Sequence, residues 1–284
     1  MTPFVNLLPM YANAAQLKMG AGASAIEYYD PDPDLYKKYC EAWFESYDYP
    51  YICTDIYPLL VQGGINTIYR DYVESINQIA TVARDHDAEF WCCIQAHTWA
   101  SSHRNPTEAE VRWQCYSMLS FGCTTILLWD YIGNVNYPGI VNPTTGVPTN
   151  NYYACRPVMW EMRALSDAFV QYKNLGAFVN NPNNLDYVKM TGEYEGFETI
   201  KALESKEALL IGCFEKKEGA GSAFTVVNME DPQKEANIAT AKITLDPAAK
   251  VTVYTAGEGK EAALTDGVLE LKLQAGEGVF VTVE

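Results

Sequence analysis

Four times between residues 4 and 131, a short apolar run ending in polar or aromatic residues is followed by a stretch with helical character. The runs are Phe4 to Met10, Tyr51 to Tyr57, Glu89 to His97 and Thr124 to Tyr131. Apolar strands alternating with helices are the pattern of a parallel α/β sheet covered on both faces. Long loops after strands rather than after helices favour a barrel, and no Gly-rich phosphate loop follows any strand to support an open flavodoxin-like sheet. A closed (β/α)8 barrel takes eight such units in about 250 residues and gathers its site at the C-terminal ends of the strands. Four units make half of one, so the expectation is a partial TIM-type barrel with one side missing.

The helices are readable from spacing. Leu35, Tyr39, Trp43 and Phe44 recur helically between Asp34 and about Tyr47, and Tyr72, Ile76, Ile79, Ala80 and Ala83 form one face of a helix expected over Ile68 to Asp87. Thr107-Glu108-Ala109-Glu110 matches a capping box, in which the threonine hydroxyl satisfies a free backbone N–H and the glutamate reaches back. The helix it starts turns Val111, Cys115, Met118 and Leu119 inward and ends near Gly122. A fourth helix is expected over Arg156 to Tyr172, after a turn-rich loop from Asn134 to Asn151.

From about Ala177 the period changes to two. Val268 to Leu273 alternates leucines with charges, Lys250 to Tyr254 and Gly278 to Val283 read likewise, and Asp231-Pro232, Gly257-Glu258-Gly259 and Asp266-Gly267 mark turns. The tail is therefore expected to be an antiparallel β-sandwich of seven or eight strands. The fold class is α/β followed by all-β, with a partial barrel over residues 1–175 and a β-sandwich over 176–284. At 284 residues the chain is long enough for both.

Composition places the chemistry in the first part. All six Trp, all three His and every Cys but Cys213 precede residue 176, and large aromatics cluster where cores and ligand sites are built. A net charge of −16 without a basic run opposes nucleic-acid binding, which depends on Lys and Arg displacing counterions. No stretch has the roughly 18 consecutive apolar residues of a membrane helix, and the first residues do not resemble a signal peptide. The eight cysteines show neither C-x-x-C nor zinc spacing and sit in apolar segments, which points to reduced structural thiols and a cytoplasmic setting. Neither a metal nor a cofactor is expected.

Asp55 and Asp130 stand at strand mouths and are the candidate catalytic carboxylates, as acid, base or nucleophile; loop capping is the plain alternative for each. Gln95, His97 and Trp99 alternate along the end of the third strand, so they are expected to face one way and offer an amide, an imidazole and an indole to sugar hydroxyls and faces. Asn6, Tyr11, Tyr57, Trp129 and Tyr131 complete the candidate substrate-binding set, and Tyr137 is a further stacking candidate. His86 and His103 are expected to be exposed and uninvolved, Glu108 and Glu110 to be first-turn helix residues, and Trp43 and Trp160 to be packing residues on helices.

Several segments carry a family likeness. Phe4-Val5-Asn6-Leu7-Leu8-Pro9, Thr54-Asp55-Ile56-Tyr57-Pro58-Leu59, Phe90-Trp91 with Gln95, and Pro106 to Gln114 resemble the later part of bacterial β-galactosidase-like glycoside hydrolases related to family 42. Leu119 to Tyr131 looks like the last barrel strand of that family. The resemblance spans almost all of residues 3–175 and implies the second half of the barrel, a carbohydrate substrate and hydrolysis of β-linked sugars. In that clan an acid/base glutamate ends strand four and a nucleophile glutamate ends strand seven. If the four strands here correspond to five through eight, the acid/base half lies outside this chain and Gln95 stands in the region of the nucleophile. The open edge then calls for an N-terminal half or a second copy of the chain, and the alternative function is a non-catalytic carbohydrate-binding protein.

Overall fold

The computed structural model describes residues 4–20, 32–46, 49–98 and 100–284. Short helix α1 (Ala14–Gly20) and helix α2 (Leu35–Ser46) precede strand β1 (Tyr51–Ile56). The hairpin β2 (Leu59–Gln62) and β3 (Ile65–Ile68) leads into α3 (Tyr72–Asp85), β4 (Glu89–Gln95), α4 (Glu108–Ser120), β5 (Cys123–Trp129) and α5 (Asn150–Phe169). β1, β4 and β5 form a parallel sheet in chain order, and Leu7 joins its outer side through a parallel bridge to Thr54, donating its N–H to the Cys53 carbonyl at 2.8 Å. The first expected strand is thus present as an extended segment with a single bridge; Pro9 has no N–H with which to continue the ladder. No helix among the described residues is long and apolar enough to cross a membrane.

Alternation along these strands sorts their side chains by layer. Ile52, Ile56, Phe90, Cys92 and Ile94 join the large core under the helices, while Tyr51, Cys53 and Cys93 form a separate cluster on the other face with Trp91 and Leu127. Tyr51 stacks on Trp91 at 4.1 Å between ring centroids and accepts a hydrogen bond from the Val5 N–H. All eight cysteines are free and buried.

The second region begins at β6 (Tyr172–Asn180) and continues through β7 (Ala202–Glu204), β8 (Leu209–Lys216), β9 (Ser222–Asn228), β10 (Ala239–Thr244), β11 (Val251–Thr255), β12 (Glu258–Ala262), β13 (Val268–Leu273) and β14 (Gly278–Val283). Six of these strands pair antiparallel in the order β12-β11-β14-β9-β8-β6, and three in the order β13-β10-β7. β8 is apolar over most of its length because both faces are covered. Leu210 and Phe214 join the core shared with the helices, whereas Leu209, Ile211 and Cys213 face Ile243, Leu269 and Leu271 of the small sheet. β12 was expected as a turn; the tight bend falls at Ala256 and Gly257 instead, leaving Glu258 to Ala262 to pair with β11.

Helix α4 lies between the two regions and is buried on nearly every side, including Trp113, Tyr116, Met118 and Ser120. Its apolar face is wider than the spacing of Val111, Cys115, Met118 and Leu119 implies, because the antiparallel sheet covers the side that an ordinary barrel helix shows to water. Ser120 Oγ lies 2.7 Å from Thr225 Oγ1 of β9, and Asn174 of β6 donates to the Ser120 carbonyl at 3.0 Å. The capping box is present as read: Glu110 N–H donates to Thr107 Oγ1 and Thr107 N–H to Glu110 Oε2. α5 starts six residues before the expected Arg156; Pro157, which reads as a helix start, sits inside it.

Candidate functional site

A cavity of about 570 Å³ opens at the C-terminal ends of the parallel strands. It is lined by Asn6, Tyr11, Asp55, Tyr57, His97, Trp129 and Asp130 from the expected set, together with His103, Gly133 and Asn134. Asp55 and Trp129 belong to strands, Tyr57 and Asp130 directly follow strands, and His97 lies two residues beyond β4.

Asp55 is held by neutral donors. Asn6 Nδ2 donates to Asp55 Oδ1 at 2.5 Å, and Tyr57 contributes a side-chain hydrogen bond. The Asn6 amide is itself oriented, its oxygen lying 3.5 Å from Cys53 Sγ. Burial raises the affinity of Asp55 for a proton, and the hydrogen bonds oppose that shift without cancelling it. The Tyr11 and Tyr57 hydroxyls are pushed well above the ordinary phenol range by burial and next by the Asp55 charge, so at neutral pH both are uncharged donors. Tyr11 meets Tyr69 edge to face at 5.3 Å, and Tyr57 lies 6.4 Å from Trp129, so the aromatic walls are braced.

Asp130 faces the almost fully buried His97, whose Nε2 lies 3.2 Å from Asp130 Oδ1. Burial lowers the proton affinity of His97, and the Asp130 carboxylate works against that. A largely neutral imidazole next to a half-exposed carboxylate can accept a proton or relay one. The loop after β5 folds back onto Asp130: the Ile140 N–H donates to the Asp130 carbonyl at 3.1 Å, and Gly139 packs so closely that a Cβ there would stand 2.6 Å from Asp130 Oδ1. Only glycine fits that approach.

Two expected site residues, Gln95 and Tyr131, are elsewhere. Gln95 does not line the cavity: its amide accepts from the Leu59 N–H at 2.9 Å and donates to the Leu59 and Arg104 carbonyls at 3.2 and 2.7 Å, so it is a fully buried strut tying β2 to the loop before α4. The expected alternation with His97 fails because regular strand geometry ends at Gln95. Tyr131 is 65 % exposed and, like Tyr137, is not among the lining residues. Trp99 lies outside the described residues.

His103, expected to be uninvolved, lines the cavity. Leu60 bridges His103, and the Val61 N–H donates to the Ser102 carbonyl at 2.8 Å, so β2 captures this loop and delivers the imidazole. A signal for the hairpin is present in the sequence: Gly63-Gly64 between the alternating stretches Val61-Gln62 and Ile65-Asn66 marks a two-residue turn, and both glycines adopt positive φ (58° and 79°). His86 sits apart, stacked on Phe44 and 2.7 Å from Glu41. Glu110, behind the loop, is fully buried and pairs with Arg104.

No family model matches the chain, and no curated protein matches it. Among solved structures it is similar to a family 27 β-L-arabinopyranosidase from Geobacillus stearothermophilus, with 9 % identity, 92 % of this chain and 64 % of that one covered, and a TM-score of 0.30. A family 5 glycoside hydrolase from Bacteroides vulgatus gives 10 % identity, coverages of 87 % and 65 %, and a TM-score of 0.33. An α-amylase from Geobacillus thermoleovorans gives 7 %, 99 %, 71 % and 0.33 in the same terms. These neighbours are glycoside hydrolases, and the chain spans less than two thirds of the length of the first of them. Likenesses this distant fix neither fold nor activity.

Proposed function

We propose that the cavity is part of the sugar site of a glycoside hydrolase, and that residues 1–175 are the second half of a (β/α)8 barrel followed by a β-sandwich over 176–284. One observation carries the reading: Asp55, Asp130, Asn6, Tyr11, Tyr57, His97 and Trp129, all candidate site residues from the sequence, line a single cavity. Paired carboxylates with aromatic walls are the apparatus by which a glycosidic bond is protonated and a pyranose ring held. Asp55, whose proton affinity burial raises, is the better placed general acid, and Asp130 the base or nucleophile. The substrate in this reading is a β-linked sugar of the kind taken by β-galactosidase-like enzymes.

The chain order of the parallel strands supports the half-barrel part of the reading, because a doubly wound sheet reverses direction partway and this one does not. β5 forms an edge with Ile126, Leu127 and Leu128 half-exposed, as expected where further strands belong. The test is turnover of chromogenic β-galactosides by the chain with and without a supplied N-terminal half barrel; hydrolysis only in the reconstituted sample fits an incomplete hydrolase. A second reading, a carbohydrate-binding protein without turnover, is favoured by the third strand end, where His97 rather than a carboxylate reaches the cavity. Binding of sugars with no turnover in either sample would select it.

A further inference from the structure

The same cavity has an unbalanced charge. Two carboxylates, Asp55 and Asp130, and three aromatic rings, Tyr11, Tyr57 and Trp129, line it, with neither Lys nor Arg among the described lining residues. We propose that this site selects a glycoside bearing a protonated amino group, such as a 2-amino-2-deoxyglycoside, over its neutral and anionic counterparts. The proposal rests on the sugar-site reading and adds the charge class of the ligand.

A carboxylate removed from water needs an opposite charge or a full set of donors. Asp55 receives hydrogen bonds from an amide and a phenol, both neutral, and among the described residues no Lys or Arg pairs with it or with Asp130. Arg104, in the loop beside the site, is engaged by the buried Glu110. Burial lowers the proton affinity of His97 and of His103, so near neutral pH the imidazoles supply little positive charge. Residues 21–31, which the structure does not describe, contain neither Lys nor Arg, and the chain as a whole carries −16.

The walls add to this. Aromatic faces attract a cation through their quadrupole, most strongly where water is partly excluded, and a ring-bound ammonium placed between Trp129 or Tyr57 and the carboxylates satisfies both preferences. A uronate in the same position faces two carboxylates, with neither Lys nor Arg among the described lining residues to offset the repulsion. The neutral hydroxyl analogue keeps the hydrogen bonds and stacking and gains nothing from the charge.

Calorimetric titration of the full chain, alone and with a supplied N-terminal half barrel, with four methyl glycosides tests the idea: 2-amino-2-deoxyglucoside, its N-acetyl derivative, glucoside and glucuronide. At neutral pH and low salt the amino glycoside is expected to bind about tenfold more tightly than the N-acetyl and hydroxyl forms, with the glucuronide weakest. Raising the salt concentration should shrink the amino advantage, because a charge contact in a half-open cavity is screened. Asp55→Asn, its fold checked by near-ultraviolet circular dichroism, should shrink it as well, and should Asp55→Asn fail to fold the salt titration decides alone. Equal affinity for the amino and hydroxyl glycosides, an advantage insensitive to salt, or a glucuronide that binds as well as the rest overturns the charge selection and leaves the sugar site standing. Failure of all four to bind in either sample, the chain alone or the chain with the supplied half barrel, overturns the sugar reading itself.

Discussion

The two regions of this protein solve burial differently. In the antiparallel region β8, β9 and β14 have both faces covered, one by α4 and α5 and the other by the three-stranded sheet, so Phe214, Phe224 and Phe280 are inaccessible to water. In the parallel region only the helix face is packed to that degree; the opposite face carries a small cluster, a cavity and a free edge along β5. The antiparallel region and the helices share one continuous core, whereas the side of the parallel sheet that bears the candidate chemistry has little beyond its own polar struts to hold it. A site for a ligand needs such an uncovered face, and its cost is that the geometry depends on a few buried polar contacts.

That contrast is sharpest when each side is weakened in turn. Phe280 packs against Phe169, Phe214, Tyr172 and Tyr254 with centroid separations of 5.4 to 5.9 Å. Phe280→Ala should therefore destabilise the chain by about 3–5 kcal/mol, seen as a lowered midpoint in urea unfolding, and an effect below about 1 kcal/mol would deny the shared core. On the other side, Glu110→Ala removes both the cap of α4 and the partner of Arg104; a loss of about 3 kcal/mol or more is expected, together with weakened ligand binding as the loop carrying His97 and His103 loosens.

Asp55→Asn sharpens the comparison differently, because it should leave stability nearly unchanged while lowering by about two orders of magnitude any turnover of the proposed half-barrel assembly. Unchanged kinetics would reduce Asp55 to a structural cap. The pH response of stability separates two site groups by sign. Burial holds His97 below its ordinary value of 6.5, so as pH falls through that value the unfolded chain takes up a proton that the folded chain resists, and stability declines. Asp55 is held above its ordinary 3.8 and binds a proton first in the folded state, so its protonation works in the opposite direction at lower pH. His97→Gln should flatten part of the loss measured between about pH 7 and pH 5.

The smallest effect is expected at the free side. Trp160, expected to pack, is 60 % exposed on α5, and Tyr153, two turns earlier on the same face, is 61 % exposed. Trp160→Ala should change the stability of this chain alone by less than about 0.5 kcal/mol. With a supplied N-terminal half barrel it should weaken association severalfold, measured by analytical ultracentrifugation; no change there would mean that the helix face has no role in closing the sheet.

Much of the frame was legible in the residues, and the gaps have physical causes. The order of strands and helices, the capping box at Thr107 and Glu110, and the two-residue alternation of β13 are local patterns, set by backbone periodicity and end-capping chemistry. Trp160 was misread because helical spacing says which residues share a face and not whether anything lies against it. Period-two alternation places Gln95 and His97 on one side only while the strand continues, and β4 ends at Gln95. His103 was missed because its place depends on a hairpin pairing across about 40 residues of chain.

The sequence by itself determined that parallel strands end in carboxylates and aromatics, because apolar periodicity and the residues that interrupt it are local properties of the chain. Only the tertiary structure decided which of those side chains meet: the amide of Gln95 was drawn into backbone hydrogen bonds, His103 was carried into the cavity by β2, and Asp55 was left among neutral donors. The physical reason is that buried polar groups take whatever partners the folded backbone brings within reach, and those partners come from segments distant in sequence.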